Sequence, residues 1–253
     1  MKKLCGVLIC FFMLTFISSA RIIEVAGAGI TDELRAVIAA KNAGGGGCTA
    51  YTDLFSSDTI TGGGWAEDSG DWTVAEGVLT IDAAAVELLL RSTNTTSSSD
   101  NFVLVELDSY GTTSCLGAAV RCTVSGSCYG YYYCPSDNSG YSARVSLSGA
   151  SWDQIGATND VTFTSGDYIG LSVANTGAAN IIISVWKNPS GGNCPENWGT
   201  ADLAFCDSGS CGADNNVNVD QTYLTLDTGT SVAIYAYPNN YTSNFDNASW
   251  GPQ

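Results

Sequence analysis

Residues 115–134 have the sequence CLGAAVRCTVSGSCYGYYYC, and this stretch indicates an antiparallel β-hairpin. Two runs suited to strands flank a short polar segment that contains a glycine. If the runs pair, Cys122 lies opposite Cys128 and Cys115 lies nearly opposite Cys134. The two pairings differ in register by one residue, which a β-bulge absorbs. We therefore predict both disulfides.

The same pattern continues from Cys48 to the carboxyl terminus. Short runs rich in Val, Ile, Thr and Tyr alternate with clusters of Gly, Ser, Asn and Asp, and this is typical of an all-β, antiparallel two-sheet sandwich. The predicted strands are Ala50–Phe55, Trp72–Ala75, Val78–Ile81, Glu87–Ser92, Phe102–Asp108, Leu116–Val124, Gly130–Cys134, Ser142–Leu147, Tyr168–Ala174, Ile181–Lys187, Thr222–Leu226, Ser231–Tyr237 and Ser243–Trp250.

The amino-terminal segments differ from this pattern. Residues 1–20 have a basic start, an apolar run and small residues at the end, as in a cleaved secretory signal. The run is shorter than the roughly 20 residues of a membrane span, which disfavours an uncleaved anchor. Residues 21–47 predict a short helical arm, capped by Thr31, and a glycine hinge. We expect the arm to dock on the domain at 48–253 or on a neighbouring subunit, as a self-association element.

Eight of the ten cysteines follow the signal, an even number that favours disulfides in an exported chain. Zinc binding is disfavoured, since the chain has no histidine and no CxxC pair. The pairing of Cys48, Cys194, Cys206 and Cys211 stays open. The last three lie in residues 189–216, which we predict to be an irregular, Cys-rich insertion.

The charge balance limits the partners. The net charge is −16, and from Cys48 onward 22 acidic residues accompany four basic ones. Repulsion from phosphates argues against nucleic acid and anionic membranes. No later stretch is apolar enough to span a bilayer, so we expect a secreted or surface-displayed chain.

Nine short motifs follow one another along the chain: Asp53-Leu54-Phe55, Trp65, Gly70–Val74, Gly77–Leu79, Gly117–Arg121, Gly130–Tyr132, Gly166–Val173, Ile183–Asn188 and Asn244–Asn247. In their order and spacing these motifs resemble the concanavalin A-like and laminin-G-like jelly-roll domains. The resemblance implies two curved antiparallel sheets and a role in glycan binding, cell-surface decoration or phage appendages, with a minority of glycosidases and lyases.

Catalytic residues are not predicted. Retaining glycosidases of this fold carry an E-x-D-x-x-E-like strand. Here Glu106 and Asp108 share a face, but the third acid is missing, and the acidic outer face of a half-buried strand explains both. The chain also lacks a histidine base, and we expect no required cofactor.

A ligand site is predicted from aromatic residues. Tyr131 and Tyr133 alternate onto one face of their strand, and Arg121 shares a face with two small residues on the neighbouring strand. Trp152 and Trp198, in predicted loops, are further candidates. The alternative for the tyrosines and the arginine is ordinary cross-strand packing.

The resemblance also implies a structural calcium between the first and last strands. Asp53 and Asp246 are the candidate ligands, because they stand at those strand ends and offer carboxylate oxygens. The alternative is that both side chains cap turns. Three N-x-[ST] sequons begin at Asn94, Asn240 and Asn247.

These observations predict a secreted, non-catalytic module that binds carbohydrate or a cell or virion surface. A structural subunit of an extracellular filament or viral appendage is the alternative. A divergent polysaccharide-degrading enzyme is the third hypothesis.

Overall fold

The structure is a computed structural model. It describes residues 48, 51–55, 60, 64–75, 77–83, 88–111, 114–146, 151–156, 158–175, 181–190, 194–208, 228–237 and 244–253. The predicted signal at 1–20, the predicted arm at 21–47 and the predicted strand Thr222–Leu226 lie outside these residues.

The described residues form two antiparallel sheets, which confirms the predicted all-β sandwich. The strands are β1 (Tyr51–Asp53), β2 (Trp65–Ser69), β3 (Asp71–Ala75), β4 (Val78–Ala83), β5 (Leu88–Ser92), β6 (Asn101–Ser109), β7 (Cys115–Cys122), β8 (Ser127–Cys134), β9 (Ser139–Ser146), β10 (Ser151–Gln154), β11 (Asp167–Asn175), β12 (Ile181–Lys187), β13 (Leu203–Ser208), β14 (Ser231–Tyr237) and β15 (Asn244–Pro252).

Sheet A has eight strands in the order β13-β12-β11-β6-β15-β4-β3, with β1 also paired to β15. Sheet B has seven strands in the order β10-β9-β8-β7-β14-β5-β2. Consecutive residues of a strand point to opposite faces, so alternate apolar residues of both sheets form one core. Val103, Val105 and Leu107 of β6 belong to this core, together with Leu116 and Ala118 of β7.

Three strands were missed from the sequence: β2, β10 and β13. The prediction of an irregular insertion at 189–216 is therefore wrong in part. Leu203 and Phe205 pack with the core, whereas Ala204 between them is exposed, so this short run has the period of a strand. A single 3-10 turn at Pro195–Asn197 precedes it.

The hairpin β7–β8 forms as predicted, with disulfides Cys115–Cys134 and Cys122–Cys128. The expected bulge lies at Arg121, whose φ is 50°. On the other side of β7, register shifts at the same place, between Ser231 and Ala233 of β14. The extra residue turns the arginine side chain away from the face that strict alternation assigns to it.

Two of the cysteines left open by the sequence are paired with each other, Cys48 with Cys194. This disulfide joins residues 146 positions apart. Cys206 is also disulfide-bonded, whereas Cys211 lies outside the described residues. Within the described part of the chain, no helix has the length and apolar character that a membrane crossing requires.

Candidate functional site

The two tyrosines of the predicted ligand site lie inside the sandwich. Tyr131 is fully buried and Tyr133 is 4% exposed, and both belong to the main core. The ring of Tyr131 packs on Phe163 and Phe205, with centroids 6.3 and 6.5 Å away. Its hydroxyl donates to Asn159 Oδ1 at 3.1 Å, and burial raises its pKa. The prediction that these tyrosines face a ligand is wrong, because their face of β8 is the one turned toward sheet A.

Arg121 is likewise enclosed rather than presented to a ligand. Its side chain is fully buried and forms an ion pair with Asp100, Nη2 to Oδ1 at 2.6 Å. Nε donates to the carbonyl of Ser99, and Nη1 donates to Asn175 Oδ1. These partners lie in or beside β6 and β11 of sheet A, so the arginine ties the bulge of sheet B to the opposite sheet. This structural role corrects the predicted binding role.

The two tryptophan candidates have different outcomes. Trp198 is 4% exposed and packs edge-on against Phe102 and Trp186, at 5.5 and 5.1 Å between centroids. It anchors a segment, tied by Cys194, on the outer face of sheet A, so it is buried in packing rather than presented to a ligand. Trp152 lies on β10 opposite Val145. Its side chain lies outside what the structure describes, so its role stays a prediction.

The candidate calcium ligands are engaged in different ways. Asp53 accepts from the backbone of Phe55 through Oδ1 and from Trp65 Nε1 through Oδ2, both within 2.8 Å. These are the bonds of the alternative role, a turn cap. Asp246 is half-buried on β15, next to the strand that carries Asp53. Among the described residues, no group of three or more His, Cys, Asp or Glu could hold a metal ion. Calcium here stays a prediction.

A polar cluster of Glu106, Tyr168 and Asn247 lies at the middle of sheet A, on its outer face. Glu106 of β6 is directly opposite Tyr168 of β11. On the other side of Glu106, register shifts between Phe245 and Ala248 of β15, so that two residues of β15 oppose one of β6. Bulges of this kind re-aim side chains and are frequent beside binding sites. The bulge brings Asn247 to Glu106.

The side chains of Tyr168 and Asn247 both donate to one carboxylate oxygen of Glu106. Tyr168 donates its hydroxyl to Glu106 Oε2 at 2.5 Å, and Asn247 donates from Nδ2 to the same atom at 2.5 Å. Asn247 Nδ2 also lies 3.5 Å from the tyrosine hydroxyl. All three residues are half-buried, so they are held in place yet reach the surface. We call these residues the Glu106 cluster.

Electrostatics favour the protonated form of the tyrosine in the Glu106 cluster. Burial raises the pKa of Tyr168, and the hydrogen bond to the Glu106 carboxylate and its charge raise it further. A tyrosine that serves as general base needs the opposite shift, toward the working pH. The tyrosine therefore stays protonated and donates to the carboxylate.

The glycosidase-like acid pattern is incomplete in space as well. Asp108 shares the outer face of β6 with Glu106, as the strand period predicts. The third acid of the pattern would stand three residues further along, at position 111, which is a glycine. Glycosidases of either stereochemistry require a second carboxyl group that acts as general acid or base. Gly111 does not supply one.

A second aromatic row crosses the outer face of sheet B. Tyr235, Gly117, Tyr132 and Tyr141 are successive cross-strand neighbours. Since Gly117 has no side chain, the rings of Tyr132 and Tyr235 meet, with centroids 5.4 Å apart. Tyr132 also stacks on Tyr141 at 5.2 Å. Tyr235 is fully buried and Tyr132 is 5% exposed, so we assign this row to packing.

Sequence reasoning placed Glu106 on the outer face of its strand but did not predict it as a site residue, and it missed the two partners of Glu106. Alternation alone places Tyr168 on the outer face of β11, since Ile169 and Leu171 point inward. The missing information was strand pairing, which the sequence does not state. Asn247 was beyond reach of alternation, because the bulge in β15 changes which residues face outward.

Comparisons with known proteins give fold likeness only. No protein-family model matches the chain, and no curated protein matches its sequence. A carbohydrate-binding module, CBM66, from Bacillus subtilis is 9% identical with a TM-score of 0.41, over 75% of this chain and 92% of that one. A Crh5 transglycosylase in complex with NAG is 9% identical with a TM-score of 0.49, over 79% and 82%.

A β-1,3-glucanase from Mycobacterium marinum is 11% identical with a TM-score of 0.45, over 79% of this chain and 97% of that one. At such identities and TM-scores, these matches carry no inference about function. Membership of the concanavalin A-like group stays a prediction, and the site rests on its own geometry.

Proposed function

We propose that the protein is an exported, non-catalytic β-sandwich module that binds neutral carbohydrate through the Glu106 cluster. The observation that carries the proposal is the half-buried carboxylate of Glu106, fixed at the middle of a sheet face by Tyr168 and Asn247. A carboxylate accepts hydrogen bonds from hydroxyl groups, and an amide both donates and accepts them. Few, well-placed polar groups beside an aromatic ring are the usual means of orienting a ligand.

The charge of the chain favours a neutral sugar over a uronate or sulfated one. The net charge is −16, and the site itself contains a carboxylate. A second anion placed beside Glu106 would be repelled, and desolvation would increase the repulsion. Arg121, the cation of the predicted ligand site, is fully buried and paired with Asp100. Neutral hydroxyl groups instead complement the free lone pairs of the carboxylate.

Binding without turnover follows from the groups present. The chain has Gly111 at the position where a glycosidase with the E-x-D-x-x-E pattern would carry its third acid. Tyr168 keeps its proton because its pKa is raised. The chain has no histidine to serve as a base near neutral pH. Each of these points favours a lectin-like role over hydrolysis or elimination.

The filament alternative is disfavoured by the charged edges of the sheets. β2 is an edge strand of sheet B and carries the exposed Glu67. β3 is an edge strand of sheet A and begins with the exposed Asp71. Acidic side chains on an edge strand oppose pairing with a second copy of the same edge. Strand addition at these two edges therefore requires neutralisation of the acids.

Export is supported by the disulfides of the described residues. Bonds such as Cys115–Cys134 and Cys48–Cys194 persist in oxidising compartments and are rare in the cytosol. This agrees with the signal predicted at residues 1–20. Glycan binding outside the cell is the role that combines the two.

A glycan array tests the proposal directly. The wild-type protein is applied beside Glu106→Gln, which keeps the shape of the side chain but removes the charge, and Tyr168→Phe, which removes the hydroxyl. We expect binding of neutral glycans by the wild type and at least a tenfold loss in each variant, because a hydrogen bond to a charged group contributes about 1.5–3 kcal/mol. Asp108→Asn, on the same strand face, is the matched control.

Two results contradict the proposal. One is an array on which the wild type binds no neutral glycan, or on which Glu106→Gln binds as the wild type does. The other is release of reducing sugar from a polysaccharide by the wild type, abolished in Glu106→Gln, which would make the protein an enzyme. Thermal unfolding of each variant separates a lost contact from a lost fold.

A further inference from the structure

The three sequons of the chain are placed very differently by the fold. Asn94-Thr95-Thr96 lies in the loop between β5 and β6, where Asn94 and Thr95 are exposed. Asn247-Ala248-Ser249 lies within β15. Asn240 lies outside the described residues. The sequence motif alone gives these sites equal standing, and the structure separates the first two.

The amide of Asn247 is committed to the protein. Its Nδ2 donates to Glu106 Oε2 at 2.5 Å and lies 3.5 Å from the hydroxyl of Tyr168. A sugar on this nitrogen would replace one of its N–H bonds and occupy the half-buried space beside Glu106. Phe245 and Ala248, on either side of the bulge that contains Asn247, are held in the β15–β6 pairing. Glycosylation there is incompatible with the fold.

Asn94 has the opposite arrangement. Its described hydrogen bonds are made by its backbone: its N–H donates to Ser92 Oγ, and its carbonyl accepts from Ser92 Oγ and from Trp250 Nε1. These bonds fix the loop while the amide side chain remains exposed. The amide nitrogen lies over Gly64, where a Cβ would approach it to 2.7 Å. Because Gly64 has no side chain, this residue does not block the amide nitrogen of Asn94.

We propose that Asn94 is an acceptor site for an N-linked oligosaccharide and that Asn247 is not. In the transfer, Nδ2 of Asn94 bonds to the anomeric carbon of a lipid-diphosphate-linked oligosaccharide. The bond from that carbon to the diphosphate oxygen breaks, the lipid diphosphate leaves, and Nδ2 loses one proton to the transferase. The glycan then extends from the β5–β6 loop and shields the surface at Gly64.

The test is expression of the full chain in a eukaryotic secretory host, behind a signal sequence of that host. Both the medium and the membrane fraction are digested with peptide N-glycosidase, which converts a glycosylated asparagine to aspartate, and peptides are mapped by mass spectrometry. We expect conversion at Asn94 and none at Asn247. Asn94→Gln should abolish the glycan at this loop, and Asn247→Gln should leave it unchanged.

An unmodified Asn94 peptide in the secreted protein overturns the proposal, as does a glycan on Asn247 in folded, secreted material. Peptide mapping of the wild type reads both sites without a variant, so misfolding of either substitution does not obscure the outcome. The proposal is independent of carbohydrate binding by the Glu106 cluster, and the array result does not affect it.

Discussion

Tyr131 and Tyr168 belong to two regions whose predicted roles are reversed in the structure. The strand of Tyr131 was predicted to face a ligand, and it lies in the core with its ring fully buried. The strand of Glu106, predicted to be a bland acidic face, presents a fixed carboxylate beside the half-buried Tyr168. Both tyrosines donate to a side-chain oxygen, so hydrogen bonding does not distinguish them. What distinguishes them is which face of each strand the sandwich encloses.

The difference shows that alternating aromatic residues indicate which side chains share a face of a strand, but not whether that face is buried or exposed. Tyr129, Tyr131 and Tyr133 share a face, as predicted, and that face is the interior. In an antiparallel sandwich the enclosed face needs large apolar surface, and tyrosine rings supply it. A polar residue such as Glu106, alternating with Val105 and Leu107, is the better indicator of the outer face.

The largest expected effect compares alanine substitutions of these two tyrosines. Tyr131→Ala leaves a cavity between the sheets and should lower the free energy of unfolding by about 3–5 kcal/mol. Tyr168→Ala removes a half-buried ring and should cost about 1 kcal/mol. Denaturant unfolding of both variants measures the difference. Equal losses of stability would contradict the assignment of one tyrosine to the core and the other to the surface.

Much of the fold follows from the sequence, because the hairpin cysteines, the apolar alternation and the turn residues all act locally. Cys115–Cys134 and Cys122–Cys128 were predictable from spacing alone, including the one-residue bulge. The site was less accessible to prediction. Arg121 has the left-handed φ of a bulge residue, which turns it toward sheet A, and no local pattern announces this turn. Long-range pairing between β6 and β15 likewise decides the place of Asn247.

The second prediction concerns Arg121, whose buried side chain links the bulge of sheet B to sheet A. Arg121→Ala should lower the free energy of unfolding by about 3 kcal/mol, since it leaves Asp100 and the carbonyl of Ser99 without their partner. Arg121→Gly removes the same bonds but suits the left-handed backbone at φ 50°, so it should be more stable than Arg121→Ala by about 1 kcal/mol. Chemical denaturation reads both values.

Neither substitution should alter glycan binding measured below the unfolding temperature, because the arginine is fully buried. A binding defect in a folded Arg121→Ala variant would return this residue to the ligand site. The assignment of Arg121 to the core and of ligand binding to the Glu106 cluster would then fail.

The third prediction separates the two hairpin disulfides by loop length. Cys115 and Cys134 are separated by 19 positions in the sequence, and Cys122 and Cys128 by 6. Loop-closure entropy predicts that double alanine variants lose about 3 kcal/mol for the longer loop and about 2 kcal/mol for the shorter one. Thermal unfolding gives the order. Both variants should keep glycan binding, and a reversed order would show that the native state rather than the unfolded chain determines the effect.

The smallest expected effect concerns Asp167, the neighbour of Tyr168 on β11. Burial opposes its charge, but hydrogen bonds from Asn188, Lys187 and Thr164 outweigh burial and hold its pKa below the usual value of 3.8. A carboxyl group with a lowered pKa stabilises the fold above its unfolded pKa, and this contribution is lost as the pH falls through the folded value. Asp167→Asn should therefore cost about 1 kcal/mol at neutral pH.

The difference between Asp167→Asn and the wild type should vanish in acid. Denaturant unfolding from neutral pH down to about pH 2 measures it, with the exposed Asp160→Asn as control. Because the Nζ of Lys187 lies 3.0 Å from Asp167 Oδ2, added salt should reduce the difference only in part, as the pair is partly shielded from solvent. A gap that persists unchanged at low pH would mean that the Asp167 side chain acts through packing rather than through its charge.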